Sequence, residues 1–284
     1  MMTAKPVRIK SSSARTERLN TVYGLIKVLV GIIVCLPLLY GLSASFMSYA
    51  DLQKVRVIPR EFSLQHYKEA LSTFPVFQYA INTMITVALS LVFQVITSCM
   101  AAYALVFFKW KLKGLCFLLI QMSMMIPGEA VIIANYLTVM NMGLIDTYLG
   151  ISITALISSM GIFMLRQYFY TVPTELRDAA NIDGCTKMQF LTRVLMPISL
   201  PTISSLVVYL FVVNYNRYLW PMLVTSTSAK RTIQVGVAII ISGEATNMGL
   251  LSATAVAALL IPIAVFTICH KYLVKGMTAG AIKG

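Results

Sequence analysis

Charge is scarce in this sequence. Asp, Glu, Lys and Arg make up 12% of 284 residues, only 10 are acidic, and there are two histidines. A soluble domain carries roughly one-quarter charged residues, so this chain is not built for water on all sides. Metal and redox chemistry find no support in spacing. Cys35, Cys99, Cys116, Cys185 and Cys269 form no C-x-x-C or zinc-ligand pattern and read as buried free thiols. Neither H-E-x-x-H nor G-x-S-x-G occurs, so the enzyme reading is the weakest. There is no G-x-x-x-x-G-K-[ST] phosphate loop, which excludes a P-loop ATPase site on this polypeptide.

Apolar sequence is what the chain has in abundance: 58% of residues are hydrophobic and the mean hydropathy is +0.80. A helix crosses a hydrocarbon core with about 20 residues. Six stretches qualify, at roughly 22–46, 77–107, 115–139, 149–169, 202–226 and 249–273. The expected fold is an all-α, polytopic membrane protein with six transmembrane helices. One membrane domain, 21–275, lies between a basic tail, 1–20, and a short tail, 276–284. The first apolar run follows basic residues but is longer than the about 7 to 15 of a signal h-region. It is read as a retained span.

The net charge of +13 raises the question of a nucleic-acid partner. The cations, however, fall in short clusters between apolar runs, which encodes topology and forms no phosphate-binding face. Lys5, Arg8, Lys10, Arg15, Arg18, Lys109, Lys111, Lys113, Arg177, Lys187, Arg193, Lys271, Lys275 and Lys283 all lie on one side of a six-span model. Only Lys54, Arg56, Arg60, Lys68, Lys230 and Arg231 lie on the other. The positive-inside rule then places both termini in the cytoplasm. The outer loops near 47–76 and 227–248 carry Asp51, Glu61, Glu69 and Glu244 and are where an outside partner would dock. Within the first, 58–70 reads as a turn and a short amphipathic helix, with Ser63 as N-cap and His66 as a solvated surface residue.

The loop 171–201, on the cytoplasmic side, reads as two short helices joined by a sharp corner. Pro173 suits a first helical turn, Glu175 and Asp178 favour the positive end of the helix dipole, and Asp183-Gly184 supplies the stop. Thr186 and Gln189 have capping-box spacing for a second helix, which should end before Pro197. Leu176, Ala179, Ala180 and Asp183 share a face whose alanines leave a shallow surface for another protein. The loop's acids and bases cancel, which suits a protein partner and not an anionic polymer.

The run Glu175-Leu176-Arg177-Asp178-Ala179-Ala180-Asn181-Ile182-Asp183-Gly184-Cys185, with Phe190, Met196-Pro197 and Pro201, resembles the EAA loop of binding-protein-dependent ABC importer permeases. The usual form is Glu-Ala-Ala, three residues, Gly, then an apolar residue and Pro. Here Asp178 stands where Glu is usual and Cys185 where Ala is common. Flanking features resemble the carbohydrate branch, that of the maltose-type second permease and the glycerol-3-phosphate-type permease. They are Phe62-Ser63-Leu64 with Tyr67, Asn82-Thr83, Ala101-Ala102-Tyr103-Ala104, Gly143 to Thr147, Asn216 to Pro221 and Lys275-Gly276.

The resemblance implies a type I ABC importer permease. Glu175, Leu176, Asp178, Ala179, Ala180, Asp183, Gly184 and Phe190 would couple it to a cytosolic ATPase dimer that uses ATP and Mg. No cofactor is expected on this chain. The implied partners are a second permease subunit in a heterodimer and an extracytoplasmic solute-binding protein, with membrane lipid around them and no nucleic acid. The alternative is a six-helix secondary transporter or channel, which needs no ATPase; no convincing internal repeat supports it.

Two ionisable residues fall at membrane depth. Glu129 follows Pro127 by two positions, and Arg217 stands in Asn214-Tyr215-Asn216-Arg217-Tyr218-Leu219-Trp220-Pro221. Each charge costs about 2.5 to 3.5 kcal/mol there unless it meets water or a partner. One reading has Glu129, Asn214, Asn216, Arg217 and Tyr218 bordering a solute route. The other pairs Arg217 with Glu129, or lets it snorkel outward beside Trp220.

Overall fold

The computed structural model describes the backbone of residues 13–54, 56–242 and 247–281, and the side chains of 20–54, 56–241 and 247–268. Every regular element among them is helical. Three helices are long and apolar enough to cross a bilayer alone: Asn20–Ser45, Val76–Phe107 and Met248–Ile268. They belong to the first, second and sixth expected spans. The other three crossings are broken: Lys113–Ser123 turns by 90° into Gly128–Asn141, Tyr148–Ala155 turns by 48° into Ser159–Tyr170, and Leu200–Tyr215, itself bent by 79° from Lys187–Ile198 of the preceding loop, is followed by Leu219–Val224. Six spans follow in the expected order, but the third, fourth and fifth are not continuous helices as hydropathy suggested.

Local chemistry stands at the first two breaks. Pro127 has no N–H to donate and disfavours α conformation at Ile126, so the third span stops and restarts as a 3-10 turn, Gly128–Val131. In the fourth, Ser158 leaves the helix at ψ 108° and its hydroxyl caps the next helix by accepting from Gly161 N–H at 3.0 Å. The fifth, Leu200–Tyr215, has 16 residues and so spans about 24 Å, short of a hydrocarbon core of about 30 Å. Residues 216–218 interrupt it, and Leu219–Val224 completes the crossing with Pro221 in its first turn, where a missing N–H costs little.

The second span is the axis of the molecule. Asn82, Thr86, Ser90, Gln94 and Ser98 recur every four residues and are all buried, so a polar stripe winds down the helix. Two of these side chains, Gln94 and Asn82, and the Thr86 carbonyl are bonded to neighbouring segments. Gln94 Oε1 accepts from Asn214 Nδ2 of the fifth span at 2.8 Å, and the Thr86 carbonyl accepts from Ser152 Oγ of the fourth at 3.2 Å. Asn82 Nδ2 donates to the carbonyls of Ala229 and Arg231, both at 2.9 Å. Side-chain bonds of this kind between membrane helices contribute about 0.6 to 2 kcal/mol each and fix register. The first span, by contrast, leans on the sixth and turns Leu, Val and Ile outward along its length.

Several outer-loop expectations change. Helix Gln65–Thr73 is present, but Leu64 is its N-cap; Ser63 Oγ sits one residue earlier and accepts from Gln65 N–H at 3.2 Å. His66 is fully buried, not solvated. Its ring lies on Gly249, where a Cβ would collide with it, and Tyr49 packs edge-on at 4.7 Å. Asp51 is also buried, held by Arg56 Nε at 3.5 Å and the Arg60 N–H at 3.2 Å. The loop 227–248 contains an apolar helix, Ile233–Ser242, packed on the second and sixth spans, so that part of it is occupied by the protein's own spans. Glu244 lies outside the described residues.

Candidate functional site

The 171–201 loop folds as two helices at a corner. The first is Thr174–Ile182, entered from Pro173 with Glu175 in its first turn. At its end Gly184 takes φ +77°, and the Cys185 N–H returns to the Ala180 carbonyl at 2.9 Å. The capping box forms: Thr186 N–H donates to Gln189 Oε1 at 2.8 Å, and Gln189 N–H to Thr186 Oγ1 at 3.3 Å. The second helix does not stop before Pro197. It widens into a π-helix, Phe190–Leu195, in which the Met196 N–H reaches five residues back to Leu191, and it runs on to Ile198. The wide turn takes the chain out of α register just before Pro197, so the proline ring does not meet an α-helical carbonyl.

The loop's residues divide into anchors and surface. Phe190 is buried between the rings of Tyr103 (6.2 Å) and Phe107 (5.4 Å), and Tyr103 Oη donates to the Lys187 carbonyl at 3.0 Å. Ala180 is buried in the same cluster. Neither contributes to an exposed face, contrary to the expected face containing Ala180. Glu175, Asp178, Ala179 and Ile182 do, at i, i+3, i+4 and i+7 along one helix side, and Leu176, Asp183 and Gly184 are exposed beside them. Ile182 is 86% exposed, and the sequence reading passed it over. The i+7 spacing from Glu175 was the available signal.

The second constellation is a cavity of about 400 Å³. Glu129 from the broken third span, Thr154 from the 3-10 turn of the fourth, and Asn216, Arg217 and Tyr218 from the gap in the fifth all line it. Irregular backbone at membrane depth is tolerated where it lines a polar space, and here three breaks converge on one. Arg217 Nη2 donates to Thr154 Oγ1 at 2.8 Å. No Arg217–Glu129 ion pair forms among the described residues, so the pairing alternative does not hold. Asn214 is elsewhere. It is buried, donates to Gln94 and to the Leu210 carbonyl, and borders a void of about 20 Å³ next to Thr86 and Ser90. Trp220, noted from sequence beside Arg217, also lines the large cavity, and so do Asn135 and Thr154, which were not singled out. Trp220 Nε1 donates to the carbonyls of Gly150 and Ile151 at 3.2 and 3.1 Å.

Spans broken around a polar cavity, with a two-helix loop projecting from one end, define a membrane-transport permease. The chain belongs to the family of binding-protein-dependent transport system inner membrane components, whose model matches residues 94–279. It is thus a permease subunit of an ABC import system, not a secondary transporter or channel. It is similar to the sn-glycerol-3-phosphate transport system permease protein UgpE of Rhizobium meliloti, at 31% identity over 91% of this chain and 96% of that protein. It is also similar to the protein of the same name from Brucella melitensis, at 30% over 91% and 95%. Its fold matches a chain of a bacterial ABC transporter involved in the import of the acidic polysaccharide alginate, with TM-score 0.81, 22% identity, and 94% and 99% of the two chains covered.

Proposed function

We propose that this chain forms half of the transmembrane pathway for a carbohydrate or glycerol-phosphate-like solute. In this reading both termini are cytoplasmic, and the 171–201 loop docks on one subunit of a cytosolic ATPase dimer that binds ATP and Mg. A second, different permease completes the pore, and an extracytoplasmic binding protein delivers the solute. This chain supplies no ATPase site of its own.

The observation that carries the coupling role is the exposed face Glu175–Asp178–Ala179–Ile182, fastened to the spans from behind by Phe190 and Ala180. An apolar knob beside a small residue and two carboxylates fits a partner groove with an apolar floor and a basic rim. For the solute, amides of Asn135 and Asn216, rings of Tyr218 and Trp220, and the Arg217 guanidinium suit a hydroxylated molecule bearing an anionic group. Co-purification of the ATPase with the two permeases tests the coupling role. Ile182→Asp and Asp178→Lys should each weaken it by about 2 kcal/mol or more, the range of interface hot spots. Parental ATPase recovery and parental uptake in both variants would reject the docking face.

A further inference from the structure

We propose that the space between the projecting loop and the end of the second span is a binding site for a phosphate group, supplied by an anionic phospholipid of the cytoplasmic leaflet. A cavity of about 290 Å³ lies there, separate from the solute cavity. Lys109 reaches it from the segment after the second span, Arg177 and Asn181 from the first loop helix, and Lys187 from the second, while Phe107 and Phe108 form part of its wall. Three cations line it and no carboxylate does. Among the described residues, Asp178 is Arg177's only acidic partner, at 3.3 Å on the exposed helix side, and Lys109 and Lys187 have none. Lys187 Nζ instead stands over the Phe108 ring at 4.9 Å.

Like charges gathered from three segments repel one another unless an anion joins them. A phosphate does so with a guanidinium fork, two ammonium groups and an amide N–H. The aromatic wall then selects the source. A phosphate carried on glycerol and acyl chains covers the rings, which a free phosphate leaves bare. Trp110 and Leu112, in the same segment as Lys109, are also exposed and add apolar surface close by in the chain. Basic pockets on the cytoplasmic side of membrane helices take such headgroups. Because the cavity's walls are the loop and the second span, an occupied site braces the loop against the spans.

The lipid source rests on the cytoplasmic orientation proposed above, but the binding test does not, since both leaflets of a nanodisc carry the lipid. The assembled permease–ATPase complex is placed in nanodiscs of phosphatidylethanolamine with phosphatidylglycerol, and retained phosphatidylglycerol is counted by native mass spectrometry after release. The triple variant Lys109→Gln, Arg177→Gln, Lys187→Gln is compared with Lys111→Gln, Lys113→Gln, Arg193→Gln, which removes equal charge outside the cavity. Loss of retained lipid in the first variant only is expected, at roughly fivefold in affinity per cation, the equivalent of about 1 kcal/mol. Equal loss in both, or in neither, would overturn the site. Displacement of the lipid by inorganic phosphate at equal concentration would overturn the lipid source. If the first triple fails to assemble, Lys109→Gln alone is read against Lys111→Gln by the same criterion.

Discussion

Thr154 is the single hydrogen-bond partner of the Arg217 side chain among the described residues, and Arg217 lines the cavity it shares with Glu129, Asn216 and Tyr218. A cation held by one neutral hydroxyl is available to an anionic ligand; one locked to a carboxylate is not. Arg217→Gln should therefore assemble normally and lower uptake of glycerol phosphate about tenfold or more, since hydrogen bonds to charged groups contribute roughly 1.5 to 3 kcal/mol. Glu129→Gln added to it should restore nothing. Loss of assembly in each single variant with recovery in the double would instead revive the ion pair. Asp146 is a second informative residue, at φ +58° in the turn between the third and fourth spans. Its Oδ1 accepts from the Thr227 N–H at 3.0 Å and the Ser226 N–H at 2.8 Å, stitching two inter-span loops together. These bonds, the Thr227 backbone foremost, hold its carboxyl below the ordinary value of 3.8. A lowered folded value means the stabilisation is complete above the unfolded value and disappears as pH falls through the folded one. Asp146→Asn keeps a residue that tolerates positive φ but removes the charge. The purified variant should melt below the parent at neutral pH, with the gap closing only in acid below about 3.8; a gap that persists there would point to backbone strain.

Gly184 shows what a helix corner demands of sequence. Open space surrounds its missing Cβ, so substitution is limited first by φ +77° and second by whatever docks there. Non-glycine residues pay about 1 to 2 kcal/mol in that region, and asparagine less. Gly184→Asn should retain most ATPase-coupled transport, whereas Gly184→Val should uncouple it, with ATP hydrolysis no longer stimulated by loaded binding protein. Equal coupling in both would mean that corner geometry is irrelevant. The corner and the capping box were legible because both depend on neighbours five or fewer residues away. Span number and order were legible because hydropathy integrates over about 20 residues. The breaks at 156–158 and 216–218 were not, because a lone serine cap does not stand out in an apolar run and both breaks also rest on contacts from distant residues. Gly161 beside Ser98 and Arg217 on Thr154 are examples. The same applies to His66, whose burial depends on a glycine far along the chain in the sixth span. Pro197 misled for the opposite reason: a local rule was applied to a helix that had already changed its hydrogen-bond register.

At the scale of the molecule, the polar stripe of the second span binds the fourth and fifth into one body. The first span contributes an apolar outer surface. The exposed loop face and the cavity around Arg217 therefore belong to opposite regions of a single packed unit, joined through the second span: Phe107 meets Phe190 near one end, and Asn82 meets Tyr148 Oη at 2.9 Å near the other. Such an arrangement carries motion from an ATPase to a solute site only if the 171–201 loop is cytoplasmic and the 227–231 turn is outside. The cation distribution favours that orientation, but Lys54, Arg56, Arg60, Lys68, Lys230 and Arg231 lie on the outer side and oppose it. Exposed positions make the test direct: Gln53, Met188 and Ala229 are all at the surface. In a background without native thiols, Gln53→Cys and Ala229→Cys should react with an impermeant maleimide added to intact cells, and Met188→Cys only after the membrane is opened. The reverse pattern would turn the molecule over, and with it the ATPase face of Glu175 and Ile182 would lie where no ATP is found.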